Sequence, residues 1–138
     1  MPFDEALADF ERWHTHPWNR RCHVVGLLTL TLFVFGVVRA VPVWGPVDGG
    51  VLLVAGTLVF DSWWCPRLAV PNLLAGSACW WLAGWLAPWA LALLFVVGFA
   101  AQLVGHRVFE GNRPAFTDDR VHLLVGPRWL VASALRRR

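Results

Sequence analysis

The sequence predicts an all-α integral membrane protein, with four transmembrane helices in a single domain (1–138) and an interfacial helix at each end. Three observations predict it. Hydrophobic residues make up 57% of the 138 residues and charged residues only 15%, too little polar surface for a soluble domain of this size. Between Arg67 and Arg107 lie 39 residues without one Asp, Glu, Lys or Arg. As helix that stretch is ~58 Å long at ~1.5 Å per residue, against a hydrocarbon core of ~30 Å, so two spans fit it and one does not. Finally, the arginines fall on one side of the membrane under a count of four spans.

The first element is amphipathic. Over residues 3–14, Phe3, Ala6, Leu7, Phe10 and Trp13 share one face, opposite Asp4, Glu5, Asp9 and Arg12, the pattern of a helix lying in the interface. Pro17 interrupts it. The spans follow at about 24–41, 49–64, 69–86 and 88–106, separated by the Pro42-to-Pro46 turn, by Pro66-Arg67 and by Pro88. The tail from Thr117 onward opens with a capping run (Thr117, Asp118, Asp119). Its apolar stretch is broken by Gly126-Pro127 and it ends in Arg136-Arg137-Arg138, which reads as an interfacial or re-entrant helix.

Four spans place Arg12, Arg20, Arg21, Arg67, Arg107, Arg113, Arg120, Arg128, Arg136, Arg137 and Arg138 on one side and Arg39 alone on the other. The positive-inside rule makes the arginine-rich side cytoplasmic. Trp44, Trp85 and Trp89 fall at the outer turns, and Trp13, Trp18, Trp63 and Trp64 near the inner ends, where interfacial anchors belong. The arginines flank apolar segments and form no patch, which argues against nucleic acid as a partner. Cys22, Cys65 and Cys79 have no CxxC spacing and read as buried thiols. No signal peptide is visible in the polar first 23 residues. A bacterial inner membrane is the expected location, with an endoplasmic-reticulum membrane expected instead for a eukaryotic chain.

On this topology the polar residues gather at the inner rim. Asn19 and His23 open the first span, four apart. Asp61 and Asn72 flank the second turn, and Gln102, His106 and Glu110 form a four-spaced stripe at the end of the fourth span. Polar groups at membrane depth are costly and mark a site by default. Neutral imidazole is a first-row metal ligand, supported by carboxylate and amide groups. His14, His23 and His106, with Glu110 or Asp61 near, thus have the composition of a non-haem iron site. The plain alternative for any one interfacial histidine is a headgroup hydrogen bond, and His16 and His122 are read that way. Asp61, Asn72 and Gln102 equally suit hydrogen bonds between helices. Phosphate loops, nucleophile elbows, dinucleotide fingerprints and the HxxxH clusters of membrane di-iron enzymes are all missing.

Two stretches carry a family resemblance. The first is His14-Thr-His-Pro-Trp-Asn19-Arg-Arg-Cys-His23, of the form H-x4-N-x3-H. The second is Gln102-Leu-Val-Gly-His106-Arg-Val-Phe-Glu110-Gly-Asn-Arg113-Pro114-Ala115, of the form Q-x-x-G-H-x-x-F-E-x-x-R-P-A. Together they resemble the membrane 2-hydroxy-fatty-acid dioxygenases, whose fungal member acts in phytosphingosine breakdown. The resemblance implies Fe(II)-dependent α-oxidation, in which dioxygen removes one carbon from a 2-hydroxy fatty acid without 2-oxoglutarate. It implies His14, His23 and His106 as iron ligands and Glu110 as ligand, base or support. Asn19 and Gln102 would orient the ligands. A fatty acid would leave its tail in the lipid bilayer and its carboxylate at the interface, beside Arg20, Arg21 or Arg113, with Arg113 favoured by its place next to His106 and Glu110. The sequence departs from the family pattern at His16 (Asn expected), Asp119 (Asn expected) and His122 (Gln expected), and leaves open whether His16, His122 or Asp61 joins the metal. It also leaves open chain length and oligomeric state. The competing readings are a non-enzymatic membrane protein, binding haem, carrying protons or supporting a partner, and a metal-dependent hydrolase of lipid headgroups. The outer halves of the spans hold no ionisable residue but Arg39, which counts against a carrier.

Overall fold

The computed structural model describes residues 1–114 and 119–136. It is helical almost throughout: α1 (Phe3–Arg12), α2 (Pro17–Arg39), a short hairpin of β1 (Pro42–Trp44) and β2 (Val47–Asp48), α3 (Gly49–Trp64), α4 (Pro66–Ala83), α5 (Pro88–Val104), a π-helical segment (Gly105–Glu110) and α6 (Val121–Arg136). The all-α expectation therefore holds. Two of the helices, Pro17–Arg39 and Pro88–Glu110, are long and apolar enough to cross a membrane, and Gly49–Trp64 is a shorter apolar helix. Only 22% and 17% of the two long apolar windows are buried. The core helix of a soluble protein would be mostly covered; here Val25, Leu28, Val37, Leu93, Val96 and Phe99 stand exposed.

The chain divides into two compact units, Met1–Thr29 with Val96–Arg138, and Leu30–Phe95. In the first, α1 ends at Arg12, two residues short of the amphipathic pattern, and its apolar face (Phe3, Ala6, Leu7, Phe10) is buried. That face is covered by protein, because α1 packs on α6. Phe10 meets Trp129 at 5.6 Å between ring centroids, and Arg136 donates to Glu11 at 2.7 Å.

Pro17 does not merely interrupt α1; it begins α2, seven residues ahead of the expected span. Proline suits the first helical position, where its missing N–H costs nothing. His16 caps the helix: its carbonyl accepts from Arg20 N–H at 3.1 Å and its Nδ1 from Trp18 N–H at 3.2 Å. His16 also stacks on Phe109 at 5.4 Å, so it has contacts within the protein beyond the headgroup reading.

Gly126-Pro127 does not break the tail helix either: α6 runs through Pro127. Proline removes one backbone donor from the ladder, and on the next turn Arg128 donates its Nη1 to the Leu124 carbonyl at 2.6 Å. Asp119 holds the helix start by accepting from Val121 N–H at 2.9 Å. Thr117, Asp118, Ala115, Arg137 and Arg138 lie outside the described residues.

In the second unit α3 packs against α4. Asp48 caps α3 by accepting from Val51 N–H at 2.9 Å, and Trp80 Nε1 donates to the same carboxylate at 3.0 Å. The Arg39 guanidinium lies 4.5 Å from the Trp80 ring centre and donates to the Trp80 carbonyl at 2.7 Å. Burial works to raise the Asp48 carboxyl, but the hydrogen bonds from Val51 and Trp80 and the charge of Arg39 outweigh it and hold it below its usual value. Pro66 opens α4 at its first turn, so this helix starts and ends about three residues earlier than the expected 69–86. Asp61 is fully buried and accepts from Asn72 Nδ2 at 2.6 Å, the interhelical hydrogen bond that was one of its two readings.

Candidate metal centre

Three imidazoles from separate segments meet in the first unit. His14 stands in the connection after α1, His23 on the first turns of α2, and His106 in the π segment; all three are buried, at 0%, 4% and 1% exposure. Their Nε2 atoms converge. His14 to His23 is 3.0 Å, and His23 to His106 is 3.0 Å. These three are the one such cluster of ligand atoms among the described residues, all within 4.8 Å of one another.

The other face of each ring decides where its proton sits. His14 Nδ1 lies 2.5 Å from the Phe10 carbonyl, which only accepts, so the proton is on Nδ1 and Nε2 presents a lone pair. His106 Nδ1 donates to Asn112 Oδ1 at 2.8 Å, so its Nε2 is also a lone pair. His23 Nε2 can carry at most one proton for these two, and its own Nδ1 is buried without a partner. The set is short of positive charge at its centre. Burial pushes the His14 imidazole down to about 4, against the pull of the Phe10 carbonyl, so the ring stays neutral and fit to ligate. Two nitrogens each ~2.1 Å from a common ion and at right angles would lie ~3.0 Å apart, which matches two edges of this triangle. The donor set therefore fits a divalent first-row metal, with His14 and His106 oriented by hydrogen bonds behind them as such ligands usually are.

The π segment builds its half of the site. Gly105 opens it, and a side chain there would run into Asn19 Oδ1 and Cys22. Insertions of this wide turn into α-helices are concentrated at functional sites. Gly111 closes the segment with φ +70°, a left-handed conformation that glycine adopts at little cost. The chain then folds back, and Asn112 N–H donates to the His106 carbonyl at 3.1 Å.

The remaining expected residues surround the cluster in different ways. Glu110 is not part of the converging cluster. Its carboxylate accepts from Thr15 Oγ1 at 3.0 Å, His16 N–H at 2.6 Å and Asn19 Nδ2 at 3.2 Å. It thus ties the π segment to the start of α2. Asn19 is fully buried, with Oδ1 unpartnered. Gln102 is buried, its amide held against Gly26 where α2 and α5 approach closely. Arg20 is drawn inward to the chain, its Nε donating to the His14 carbonyl at 2.7 Å. Arg21 lies over Trp18, 4.4 Å from the ring centre. Arg113 lines an open depression of about 450 Å³ together with Trp13, Arg107, Gly111 and Asn112.

His122 corrects the headgroup reading. It is 4% exposed and its Nε2 faces Asp9 Oδ2 at 2.8 Å, while Nδ1 is buried without a partner. Burial alone would raise the Asp9 carboxyl, but Arg12 and His122 beside it bring it below its usual value. His122 lies against Phe10 and Trp13 and is not one of the three converging ligands. Nothing in the sequence signals Asp9 as its partner, 113 positions away. For Asn112 behind His106, an asparagine following a left-handed glycine was the available signal.

A family model described as 2-hydroxy-palmitic acid dioxygenase Mpo1-like matches residues 1–138. No curated protein matches the chain, and no solved structure does. The match covers the whole chain, which belongs to the Mpo1-like family.

Proposed function

From this membership we propose that the chain is an Fe(II)-dependent dioxygenase of the membrane, shortening 2-hydroxy fatty acids by one carbon. The observation that carries the proposal is the convergence of three buried Nε2 atoms, with His23 3.0 Å from each of the other two. The family description names the acid. The stoichiometry is self-contained: R–CHOH–COOH and O2 give R–COOH, CO2 and H2O. Four electrons leave the acid and four enter dioxygen, so no 2-oxoglutarate or other reductant is required. Bound iron would supply the electron path between acid and dioxygen, and His14, His23 and His106 are the residues that would hold it.

The chain's own residues do the rest. Phe10 and Asn112 fix the ring orientations of His14 and His106 through their Nδ1 protons. Glu110 and Asn19 lock the π segment onto the start of α2 and so hold His106 against His23. Burial of the cluster keeps bulk water from the reacting carbon. Gln102 supports α5 against α2 one turn before His106.

We read α2 and the helix from Pro88 to Glu110 as spans, with α3 and α4 as shorter ones, ~24 and ~27 Å at ~1.5 Å per residue, giving four. The arginine distribution supports a cytoplasmic position for the histidines. A fatty acid suits this arrangement, since its tail dissolves among apolar helices while its carboxylate remains at the interface.

The test is bound metal in protein purified in detergent after anaerobic Fe(II) loading, repeated with His106→Ala, followed by oxygen uptake with 2-hydroxy fatty acids. Near-stoichiometric iron that the mutation abolishes, with a product one carbon shorter, is the expected result. Absence of iron, or iron indifferent to the mutation, would sink the reading.

A further inference from the structure

We propose that Arg107 and Arg113 together form a clamp for the substrate carboxylate, with the Asn112 amide as a third donor. The proposal rests on the dioxygenase reading and adds to it a residue, Arg107, that sequence reasoning assigned only to membrane orientation. The open depression these residues line, about 450 Å³ with Trp13 at its side, has room for a carboxylate at the surface of the protein.

Four observations point to an anion there. Arg107 and Arg113 line one depression, and no acid among the described residues lines it with them. Neither guanidinium has a hydrogen-bond or ion-pair partner among the described residues. The acid nearest in sequence, Glu110, is already committed to Thr15, His16 and Asn19. Finally, Asn112 belongs to both places: its Oδ1 accepts from His106 Nδ1 at 2.8 Å, leaving its Nδ2 protons for the depression. A group held by Asn112 is therefore one side chain from a candidate iron ligand. Two planar forks and an amide suit a carboxylate, which accepts bidentate hydrogen bonds. The Gly111 turn sets the arrangement, since the left-handed φ of +70° lets Asn112 fold back and carries Arg113 round to the side of Arg107.

The same chemistry would accept a phospholipid headgroup, so the test separates the two. Binding of radiolabelled 2-hydroxyhexadecanoate is measured on metal-free protein in nanodiscs of neutral phosphatidylcholine, for the native chain, Arg107→Gln, Arg113→Gln and the double variant. Arg120→Gln serves as a control for general loss of positive charge. Each clamp variant is expected to bind about tenfold more weakly, the loss of one charged hydrogen-bonding partner, and the double variant more weakly still. Arg120→Gln should bind as the native chain does. Hexadecane-1,2-diol, which keeps the hydroxyl and lacks the carboxylate, should bind weakly to all variants alike. Unchanged affinity in both single variants, or an equal loss in Arg120→Gln, would overturn the clamp. Displacement of the acid by phosphatidylglycerol as effectively as by unlabelled acid would assign the arginines to headgroups and overturn it too. Both side chains are exposed, so the glutamine variants should fold, and their thermal midpoints check this. Iron content, measured in parallel, keeps the two ideas apart. Iron and turnover with unmoved affinities would remove the clamp alone, and arginine-dependent binding without iron would remove the dioxygenase reading alone.

Discussion

The two compact units handle their buried polar groups in opposite ways. In Leu30–Phe95 the buried polar side chains are Asp61 and Asn72, and they satisfy each other at 2.6 Å. In the other unit His14, Asn19, His23, Gln102, His106, His122 and Arg128 are all buried. There the unpartnered atoms gather: Asn19 Oδ1, His23 Nδ1 and His122 Nδ1. A hydrogen-bonded pair of complementary groups is adhesive. Like groups converging with lone pairs unspent are poised for something the chain itself does not supply, and burying them so is costly.

The sharpest way to break this contrast is to place leucine in each unit. His23→Leu is expected to reduce bound iron to background and oxygen uptake by at least about 100-fold, by the scale of losing a ligand that acts as part of a unit. Yet the metal-free protein should melt no lower than the native one, since an unsatisfied buried nitrogen disappears. Asp61→Leu should do the reverse, costing about 1–3 kcal/mol by stranding the Asn72 amide while leaving iron content unchanged. Iron measurement and thermal unfolding in detergent read both. If His23→Leu were as destabilising as Asp61→Leu, the cluster would be ordinary glue.

Glycine substitutions sharpen the comparison on a smaller scale. Gly105→Ala drives a methyl into Asn19 and Cys22 and should cost about 1–3 kcal/mol as overpacking does, with weaker iron binding because the π segment shifts. Gly56→Ala, inside α3 with nothing within 4 Å of the new methyl, should instead raise stability by about 0.5–1 kcal/mol. Equal thermal midpoints for the two variants would contradict the packing described for Gly105.

The smallest effect is in acid. Asp9 titrates below its model-peptide value of 3.8 in the folded chain, so the unfolded chain takes up the proton first as pH falls. Its contribution is complete above pH 3.8 and is lost as pH drops through the folded value. Asp9→Asn should therefore melt slightly lower than the native chain near neutral pH, where the ionised carboxylate contributes in full, and the two should converge below about pH 4, the ordinary carboxylate range. A melting curve equally acid-sensitive in both chains would remove Asp9 from that role.

Much of this was legible in the sequence, for reasons that also explain the rest. Helices α2 to α5 could be read from apolar runs punctuated by prolines, and the converging histidines from their cost among such runs. Where proline acts as a starter, at Pro17 and Pro66, the helix begins earlier than hydropathy suggests, because polar residues can occupy the first turns. Pro127 misled in the other direction: a proline marks a lost hydrogen bond, and neighbouring contacts decide whether the helix survives. The long-range partners were out of reach. Nothing local to His122 points to Asp9, and Arg107 reads as one more flanking charge until Gly111 folds the chain back beside it. Glu110 was placed on a stripe with His106, and only the π segment and the α1–α2 connection show that its oxygens are spent on Thr15, His16 and Asn19.

One consequence concerns the lipid itself. His23 and His106 sit on the two helices long enough to span, while His14 sits on a connection. A bilayer thinner or thicker than those helices is met partly by tilting them. Tilt of one against the other changes the His23–His106 edge, which measures 3.0 Å. On the proposed reading, acyl-chain length in the surrounding membrane would become a mechanical input to how firmly the three imidazoles hold a metal.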